Sequence, residues 1–291
     1  MIPRFALSRP QSLAEAFDAF AATGGDAAWI AGGTELLQVM KMGFAQFGTL
    51  VDLKGIHELR GIELDGDGRL VIGSATTHRE IERSPLVARH APGLATLAAR
   101  VANVRVRNTG TIGGNLAFAE PHSDPATFLL ACGASVRLAG PAGRRELGIG
   151  DFVLGPLFTA REPDEIVVSI VVPAAGPGEG RAYEKVAFFE RPAASVGVAL
   201  AVRDGTIAAA TVAVGSLTEV PTLVPDAAAR LVGVAASEAA LADRLVAAGE
   251  VFAAVDAVPD LNGSVDYKRH LAGLLFGRAA RAAVREAVAG A

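Results

Sequence analysis

Short apolar runs alternate with amphipathic segments over the first 55 residues of the chain. The runs predict three strands, the second of them continuously apolar and therefore buried, at residues 3–7, 27–31 and 50–53. Between the first two runs, Leu13 to Phe20 places apolar side chains at helical spacing behind Ser12, a residue type that caps helices. A second helix-like segment, Thr34 to Met40, follows the pair Gly32-Gly33. The pattern predicts a small α/β unit with the order β-α-β-α-β.

A second block extends over residues 56–176 and mixes strands with helices. Its apolar runs predict strands at Leu70–Gly73, Ser135–Leu138 and Glu165–Pro173. Thr77, with Glu80 three residues later, is a capping-box pair that predicts the start of a helix. Residues 92–106 carry Ala, Leu and Val at the spacing of one helix. The Gly- and Pro-rich segment 174–180 predicts a loop at a domain boundary.

The last third of the chain changes to three long strands followed by helices. The strands are predicted at residues 182–188, 195–203 and 206–215. Asp204-Gly205, between the last two, is a strong hairpin signal. Helical patterns follow at residues 226–231, 237–247 and 267–288. We therefore divide the chain into three parts, residues 1–55, 56–176 and 177–291.

Composition indicates a folded protein without the charge of a nucleic-acid-binding protein. Apolar residues make up 51% of the chain, and 27 Lys and Arg stand against 31 Asp and Glu, a formal net charge of −4. This much apolar surface can offset the entropy of ordering, which excludes a disordered chain. General binding of a phosphate backbone requires a basic face, which the mildly acidic balance does not favour.

A single cysteine, Cys132, limits the redox chemistry that the chain can carry. It excludes an intrachain disulfide, and it excludes an iron–sulfur cluster or zinc site held only by cysteines of this chain. Cys132 ends the apolar run that starts at Phe128, which predicts a small buried side chain. The N-terminus lacks the apolar stretch of a secretory signal, and no run approaches the roughly 18 apolar residues of a membrane span, so we expect a cytoplasmic protein.

Two Gly-Gly pairs beside hydroxyl and amide side chains are the strongest candidates for chemistry. In the first, a strand ends at Ala31 and Gly32-Gly33 turns the chain into a helix that begins near Thr34. The second is Thr111-Ile112-Gly113-Gly114-Asn115. Glycine lets backbone N–H groups approach an anion, and helix N-termini favour negative charge, so two such loops together suit a diphosphate. Each loop alone is more typical of an ordinary tight turn than of a binding site.

From the residues alone, the prediction ends at binding of a phosphorylated cofactor. Neither loop has the G-x-G-x-x-G or G-x-x-x-x-G-K-[ST] spacing, which excludes the standard Rossmann and P-loop forms. The five histidines are scattered without metal-ligand spacing, and we predict no metal site. His122 lies between the second glycine loop and Asp124, and the sequence leaves its role open.

Five segments, in chain order, resemble the FAD-binding (medium) subunit of the molybdenum hydroxylases, the family of xanthine dehydrogenase and aerobic carbon monoxide dehydrogenase. They are Ile30–Leu37, Arg107–Leu116, Glu120–Pro125, Tyr183–Lys185 and Asn262–Leu271. The first resembles the family's first flavin loop and the second its more specific loop. Asp124 stands at the family's position for an acid, 124 − 115 = 9 residues after Asn115. The similarity spans nearly the whole chain.

The resemblance implies both a fold and a role. The fold is α+β, with a vanillyl-alcohol-oxidase-type FAD-binding module of two subdomains, residues 1–55 and 56–176, and a C-terminal domain of residues 177–291 with a three-stranded antiparallel sheet and helices. The implied role is electron transfer in a heterotrimer. FAD would accept electrons from the [2Fe–2S] clusters of a small subunit, after a large subunit with the molybdenum cofactor has oxidised the substrate, and would pass them to an external acceptor. Such heterotrimers commonly dimerise.

The resemblance also implies which residues bind FAD, and none that is catalytic. One wall around the diphosphate and adjoining flavin would be Trp29, Ile30, Ala31, Gly32, Gly33, Thr34, Glu35 and Leu36. The second wall would be Thr111, Ile112, Gly113, Gly114 and Asn115. Val101 and Val167 match positions that contact the flavin, although Val167 fits a plain core strand equally well.

Two charged residues have implied roles toward the same cofactor. Asp124 would accept hydrogen bonds from hydroxyl groups of FAD, with a helix N-cap as its alternative. Lys185 would lie near the pyrimidine side of the isoalloxazine, where a cation favours the anionic reduced flavin. The alternative for Lys185 is a surface lysine.

Two other functions stay open at this stage. One is a free-standing FAD-dependent reductase or oxidase of the same superfold, which would need substrate acid–base residues that the sequence does not reveal. The other is an assembly subunit that has lost the flavin. The glycine loops, together with Asn115 and Asp124, argue against this second alternative.

Overall fold

The computed structural model describes residues 2–245 and 248–290 of the chain. In this part of the chain the strands form four sheets, of three, five, four and two strands. Buried apolar clusters lie where helices pack on the three larger sheets. The fold is α+β, which confirms the predicted class.

The first sheet is parallel and carries the predicted β-α-β-α-β order. Its elements are β1 (Ala6–Ser8), α1 (Leu13–Ala21), β2 (Ala27–Ile30), α2 (Leu36–Met42) and β3 (Thr49–Asp52). Thr49 pairs with both Ala6 and Ala27, so β3 is the central strand. The Ser12 side chain accepts a hydrogen bond from the backbone N–H of Glu15, which confirms the predicted cap of α1.

The five-stranded antiparallel sheet has the order β4-β5-β10-β6-β7. Two short 3-10 helices, Leu53–Gly55 and His57–Leu59, lead into it. The elements that follow are β4 (Ile62–Leu64), β5 (Leu70–Gly73), α3 (His78–Arg83), α4 (Pro85–His90), α5 (Pro92–Ala99), α6 (Val104–Thr109), α7 (Ile112–Phe118), α8 (Asp124–Ala131), β6 (Ser135–Gly140), β7 (Gly143–Gly148), α9 (Ile149–Phe152), β8 (Val153–Gly155), β9 (Phe158–Thr159) and β10 (Ile166–Val172). Strands β8 and β9 pair with each other as a separate two-stranded sheet.

The helical region between β5 and β6 both confirms and corrects the sequence prediction. Thr77 and Glu80 form the predicted capping box at the start of α3. The prediction of one helix over residues 92–106 is wrong, because the chain breaks between α5 and α6. Ala102 adopts a positive φ of 38°, and the Asn103 side chain accepts hydrogen bonds from the N–H groups of the next turn. An Asn that caps a new helix in this way competes with continuation of the old one.

The C-terminal part contains the three long antiparallel strands that were predicted. They are β11 (Glu179–Ala187), β12 (Pro192–Arg203) and β13 (Thr206–Gly215), and the two-residue β14 (Thr222–Leu223) extends the sheet. Asp204 and Gly205 both have positive φ, 50° and 70°, as the predicted tight hairpin requires. The helices are α10 (Pro225–Leu231), α11 (Glu238–Leu245), a 3-10 helix Ala248–Phe252, and α12 (Val265–Ala289). The end of the helix predicted over residues 237–247 lies outside the described residues.

Helices cover both faces of this C-terminal sheet. On one face α12 packs so closely on β11 that a Cβ atom on Gly180 would overlap the carbonyl oxygen of Ala283. On the other face α8, from the preceding part of the chain, packs on β12 and β13 where Gly197 and Gly215 leave room for Thr127. Although α12 has 25 residues, no helix in the described ranges combines the length and apolar character needed to cross a membrane.

The closeness of α12 to β11 gives a stability prediction. In Gly180→Ala the new methyl group meets the backbone of α12, which cannot move aside without shifting the helix. We expect a loss of about 1–3 kcal/mol in the free energy of unfolding, measured by chemical denaturation. The control is Gly66→Ala, because a Cβ there meets nothing within 4 Å. Equal stability of the two variants would contradict the packing described above.

Candidate functional site

The two glycine loops lie directly against each other. Gly32 is so close to the backbone of Thr109 and Gly110 that a Cβ atom at Gly32 would overlap both. A Cβ on Gly110 would stand 3.4 Å from the Thr34 hydroxyl oxygen, so the contact continues along the first loop. Gly114 is exposed, and a Cβ there would stand 2.9 Å from the Thr111 hydroxyl oxygen and 3.9 Å from the Ala31 Cβ. The fold therefore brings together the two segments that were predicted to surround a cofactor.

The first loop presents a row of unused backbone donors. The N–H groups of Gly32, Gly33, Thr34 and Glu35 donate no hydrogen bond to any group within residues 2–245 and 248–290. Gly33 has a φ of +69°, a conformation that glycine adopts without strain. Helix α2 starts later than predicted, at Leu36, so these four residues form a loop outside the helix. Successive free amides in such a turn make an anion-binding concavity.

The second loop is the first turn of α7, and the N–H groups from Ile112 to Asn115 are already occupied. Gly113 N–H donates to the Ser74 carbonyl at 2.9 Å, and Asn115 N–H donates to the Thr111 carbonyl at 2.9 Å. Gly114 N–H donates to the Thr111 hydroxyl, which caps the helix, at 3.1 Å. A Cβ on Gly113 would overlap Ser74, so this glycine allows packing. The second loop therefore has fewer free amide donors than the first loop.

A buried ion pair lies next to the second loop. Lys185 Nζ stands 2.7 Å from Asp124 Oδ2, and the two side chains are 8% and 6% exposed. The Tyr183 hydroxyl donates to Asp124 Oδ1 at 2.5 Å, and Lys185 Nζ also donates to the Arg100 carbonyl at 2.9 Å. The Ser123 hydroxyl, adjacent to Asp124, donates to Asn115 Oδ1 at 2.6 Å and so joins the pair to α7.

Both alternatives stated for these charged residues are wrong. Asp124 is the first residue of α8 and follows the cap position, Ser123, so it does not act as an N-cap. Lys185 is not a surface lysine. Burial raises the pKa of Asp124, against the opposing effects of the Lys185 ammonium and the Tyr183 hydroxyl. Burial, and then the charge of Asp124, raise the pKa of Tyr183 well above its usual range.

Several of the predicted binding residues have side chains committed to the protein interior. Trp29 stacks on Phe20 with ring centroids 4.3 Å apart, and its indole N–H donates to the Pro163 carbonyl at 2.9 Å. Trp29 is half-buried, whereas Ile30, Val101, Ile112 and Val167 have buried side chains. Ala31 and Leu36 are half-buried at the ends of the first loop.

The sequence-based predictions assigned no role to Tyr183 or to Arg191. Tyr183 lies two residues before Lys185 on β11, and alternate residues of a strand share a face, so the strand period was a usable signal. Arg191 binds Glu120 at 3.0 Å and Glu35 at 3.5 Å, and nothing in the local sequence indicates it. Burial raises the pKa of Glu35, and Arg191 acts in the opposite direction.

Comparisons with known families and proteins agree over nearly the whole chain. The family described as the FAD binding domain in molybdopterin dehydrogenase matches residues 3–175, and the CO dehydrogenase flavoprotein C-terminal domain matches residues 181–283. The carbon monoxide dehydrogenase medium chain of Hydrogenophaga pseudoflava is 36% identical over 283 residues, which cover 97% of each chain. The nicotine 6-hydroxylase medium subunit of Paenarthrobacter nicotinovorans is 32% identical and covers 93% of this chain and 94% of its own.

Solved structures show the same similarity in three dimensions. Carbon monoxide dehydrogenase from Hydrogenophaga pseudoflava, in a form that lacks the Mo-pyranopterin moiety, superposes with a TM-score of 0.90 over 98% of this chain and 99% of that one, at 36% identity. Quinoline 2-oxidoreductase from Pseudomonas putida 86 gives 0.90 over 99% of both chains at 28% identity. The chain is thus a flavoprotein component of an oxidoreductase. It belongs to the family of FAD-binding medium subunits of the molybdenum hydroxylases, as the sequence resemblance predicted.

The Asp124–Lys185 pair gives a prediction about the flavin. The resemblance implies that Lys185 lies near the isoalloxazine, and on that placement Lys185→Met should lower the flavin midpoint potential, because the anionic reduced form loses a cation. Asp124→Asn leaves the cation alone and should raise the potential. Spectroelectrochemistry measures both.

The double variant Lys185→Met/Asp124→Asn is the matched control. It removes both charges together, so the potential should return toward that of the parent chain. Loss of one partner of a buried pair costs about 3–5 kcal/mol of stability, so flavin content is measured alongside. If both single variants keep the midpoint potential of the parent chain, the Asp124–Lys185 pair does not influence the flavin.

Proposed function

We propose that this chain is the FAD-binding electron-transfer subunit of a heterotrimeric molybdenum hydroxylase. It would receive electrons from the [2Fe–2S] clusters of a small partner subunit and pass them to an external acceptor, while a large subunit with the molybdenum cofactor oxidises the substrate. The row of four free amides in the first loop, held against the second loop, carries the proposal. Bound FAD supplies the redox chemistry, and this chain supplies binding and orientation.

The donor set of the site fits the diphosphate of FAD. The N–H groups of Gly32, Gly33, Thr34 and Glu35 would donate to its oxygens, because free backbone amides bind anions without a cationic side chain. Exposed Gly114, opposite Ala31, would let the ligand pass close to the backbone of α7. Val101 and Val167 would contribute main-chain contacts, and Asp124 and Lys185 would set the charge near the isoalloxazine.

The relatives support partner subunits that carry the other cofactors. Their names are those of medium chains or medium subunits, which are parts of larger enzymes. Cys132 is buried, as predicted, and burial raises the pKa of its thiol to about 12; one cysteine cannot supply the four thiolates of a [2Fe–2S] cluster held only by cysteines. Clusters that deliver electrons to the flavin would therefore be bound by another chain.

We also propose the division of the chain into residues 1–55, 56–176 and 177–291. The first two parts would together bind FAD, and each has its own sheet. The third has the four-stranded sheet and helix α12, with a cluster of buried apolar side chains between them. The family matches change at a similar place, since one ends at residue 175 and the next starts at residue 181.

The cofactor itself can be tested on the purified chain. We expect flavin absorbance, and acid should release FAD in preference to FMN. Gly114→Val should weaken FAD binding by more than about tenfold, because the branched side chain would crowd the Thr111 hydroxyl and fill the space opposite Ala31.

The control for this experiment is Gly66→Val, in a loop where a Cβ meets nothing. Thermal unfolding of both variants shows whether α7 is retained. A colourless chain that does not take up added FAD would refute the proposed function, and an unchanged FAD affinity in Gly114→Val would remove the second loop from the site.

Partner subunits are tested by affinity purification of the tagged chain from its native cell. Two further chains should co-purify, one with molybdenum and one with iron, detected by mass spectrometry and metal analysis. Light scattering should give the mass of two heterotrimers. A lone chain that reduces an acceptor on its own would favour the free-standing reductase or oxidase.

A further inference from the structure

The imidazole of His122 is held between carboxylates from two different parts of the chain. Its Nδ1 lies 2.8 Å from Glu120 Oε1, and its Nε2 lies 2.7 Å from Asp260 Oδ2. The side chain is 17% exposed. A neutral imidazole has one N–H donor, whereas the imidazolium has two, so only the protonated ring donates to both carboxylates.

On the C-terminal side, a buried lysine fixes the carboxylate that His122 contacts. Lys268, on α12, is 1% exposed, and its Nζ lies 2.7 Å from Asp260 Oδ2. The same Nζ donates to the carbonyls of Ser216 and Val258, at 2.8 and 3.1 Å. Asp260 is therefore anchored to the interior of the C-terminal part. Lys268 belongs to the segment Asn262–Leu271, which resembles the family, and its contact with Asp260 is a structural role for that segment.

On the other side, the contacts continue to the first glycine loop. Glu120 Oε1 accepts a hydrogen bond from Arg191 Nη1 at 3.0 Å. Arg191 Nη2 lies 3.5 Å from Glu35 Oε2, and Glu35 carries the last of the four free amides. One series of charged contacts thus joins α12 to the first loop, through Lys268, Asp260, His122, Glu120, Arg191 and Glu35. We call it the charged bridge.

We propose that His122 is a positioning residue whose protonated ring holds the C-terminal part on the flavin-binding part and so keeps the first loop in its FAD-binding arrangement. The proposal rests on the FAD binding proposed above. It assigns His122 no contact with FAD, since the ring acts through Glu120 and Arg191 on Glu35.

The sign of the pH dependence follows from the groups that face the ring. The hydrogen bond to Glu120 raises the pKa of His122, the bond to Asp260 adds to this, and burial opposes both. Burial also acts to raise the pKa of Asp260, but Lys268 and His122 outweigh it and lower that pKa to about 2. For Glu120, His122 and Arg191 outweigh burial and lower the pKa.

Because the pKa of His122 is higher in the folded chain than in the unfolded chain, its contribution is complete below the ordinary value of about 6.5. The contribution is lost as the pH rises through the raised value. Both carboxylates stay charged in this range, so the bridge weakens on the alkaline side alone. FAD binding should weaken with it.

The test is the pH profile of FAD affinity in the full chain after removal of its flavin. FAD is titrated at about pH 6 and about pH 9. The Kd of the parent chain should be at least about threefold higher at pH 9 than at pH 6, because a small part of the linked stabilisation is lost. His122→Gln should bind FAD equally at both pH values, with the weaker Kd. His270→Gln, an exposed histidine on α12, is the matched control and should keep the parent profile.

If His122→Gln does not fold, a second variant and an NMR measurement test the same proposal. Asp260→Asn should also flatten the profile, and NMR titration of the parent chain should give His122 a pKa above the ordinary value of about 6.5. A pH profile in His122→Gln equal to that of the parent, or an ordinary His122 pKa, would overturn the proposal while FAD binding stands. A parent chain that binds no FAD at either pH would instead refute the proposed function and, with it, this role for His122.

Discussion

The close contact between the two glycine loops is the constraint on which the site depends. Gly32 lies on the backbone of Thr109 and Gly110 with no space for a side chain between them. This contact sets the parallel sheet and the first turn of α7 beside each other, although about eighty residues separate them in sequence. The free amides of the first loop therefore lie beside a second backbone segment, and no side chain separates the two.

Local signals in the sequence were sufficient to predict helix caps and the hairpin turn, because these features depend on contacts between residues close in sequence. Ser12, the Thr77–Glu80 pair and Asp204-Gly205 each act within four residues, and each prediction is confirmed. The helix over residues 92–106 failed for a related reason, because the capping tendency of Asn103 outweighed an apolar pattern that continued past it. Family resemblance supplied the rest of the fold class.

Contacts between distant residues were beyond sequence reasoning. The sequence gives no sign that the backbone N–H of Gly113 has a partner. Only the fold shows that the Ser74 carbonyl accepts its hydrogen bond. For that reason the sequence could not predict which of the two loops has free backbone amides. Arg191 and Asp260 reach the site from the C-terminal part, more than 60 residues from Glu120 or His122 in sequence, and their local sequence has no distinguishing pattern. Tyr183 was within reach of the strand period, because it shares a face with Lys185.

Helix α8 serves two parts of the molecule at once. Its first residue, Asp124, belongs to the buried ion pair, while Thr127 lies against Gly197 and Gly215 of the C-terminal sheet. Separating the chain at the 174–180 loop would therefore expose the buried face of α8 on one fragment. It would also expose the sheet surface around Gly197 and Gly215 on the other fragment. The two stretches matched by separate family descriptions therefore share a buried contact through α8, and their separation would expose apolar side chains to water.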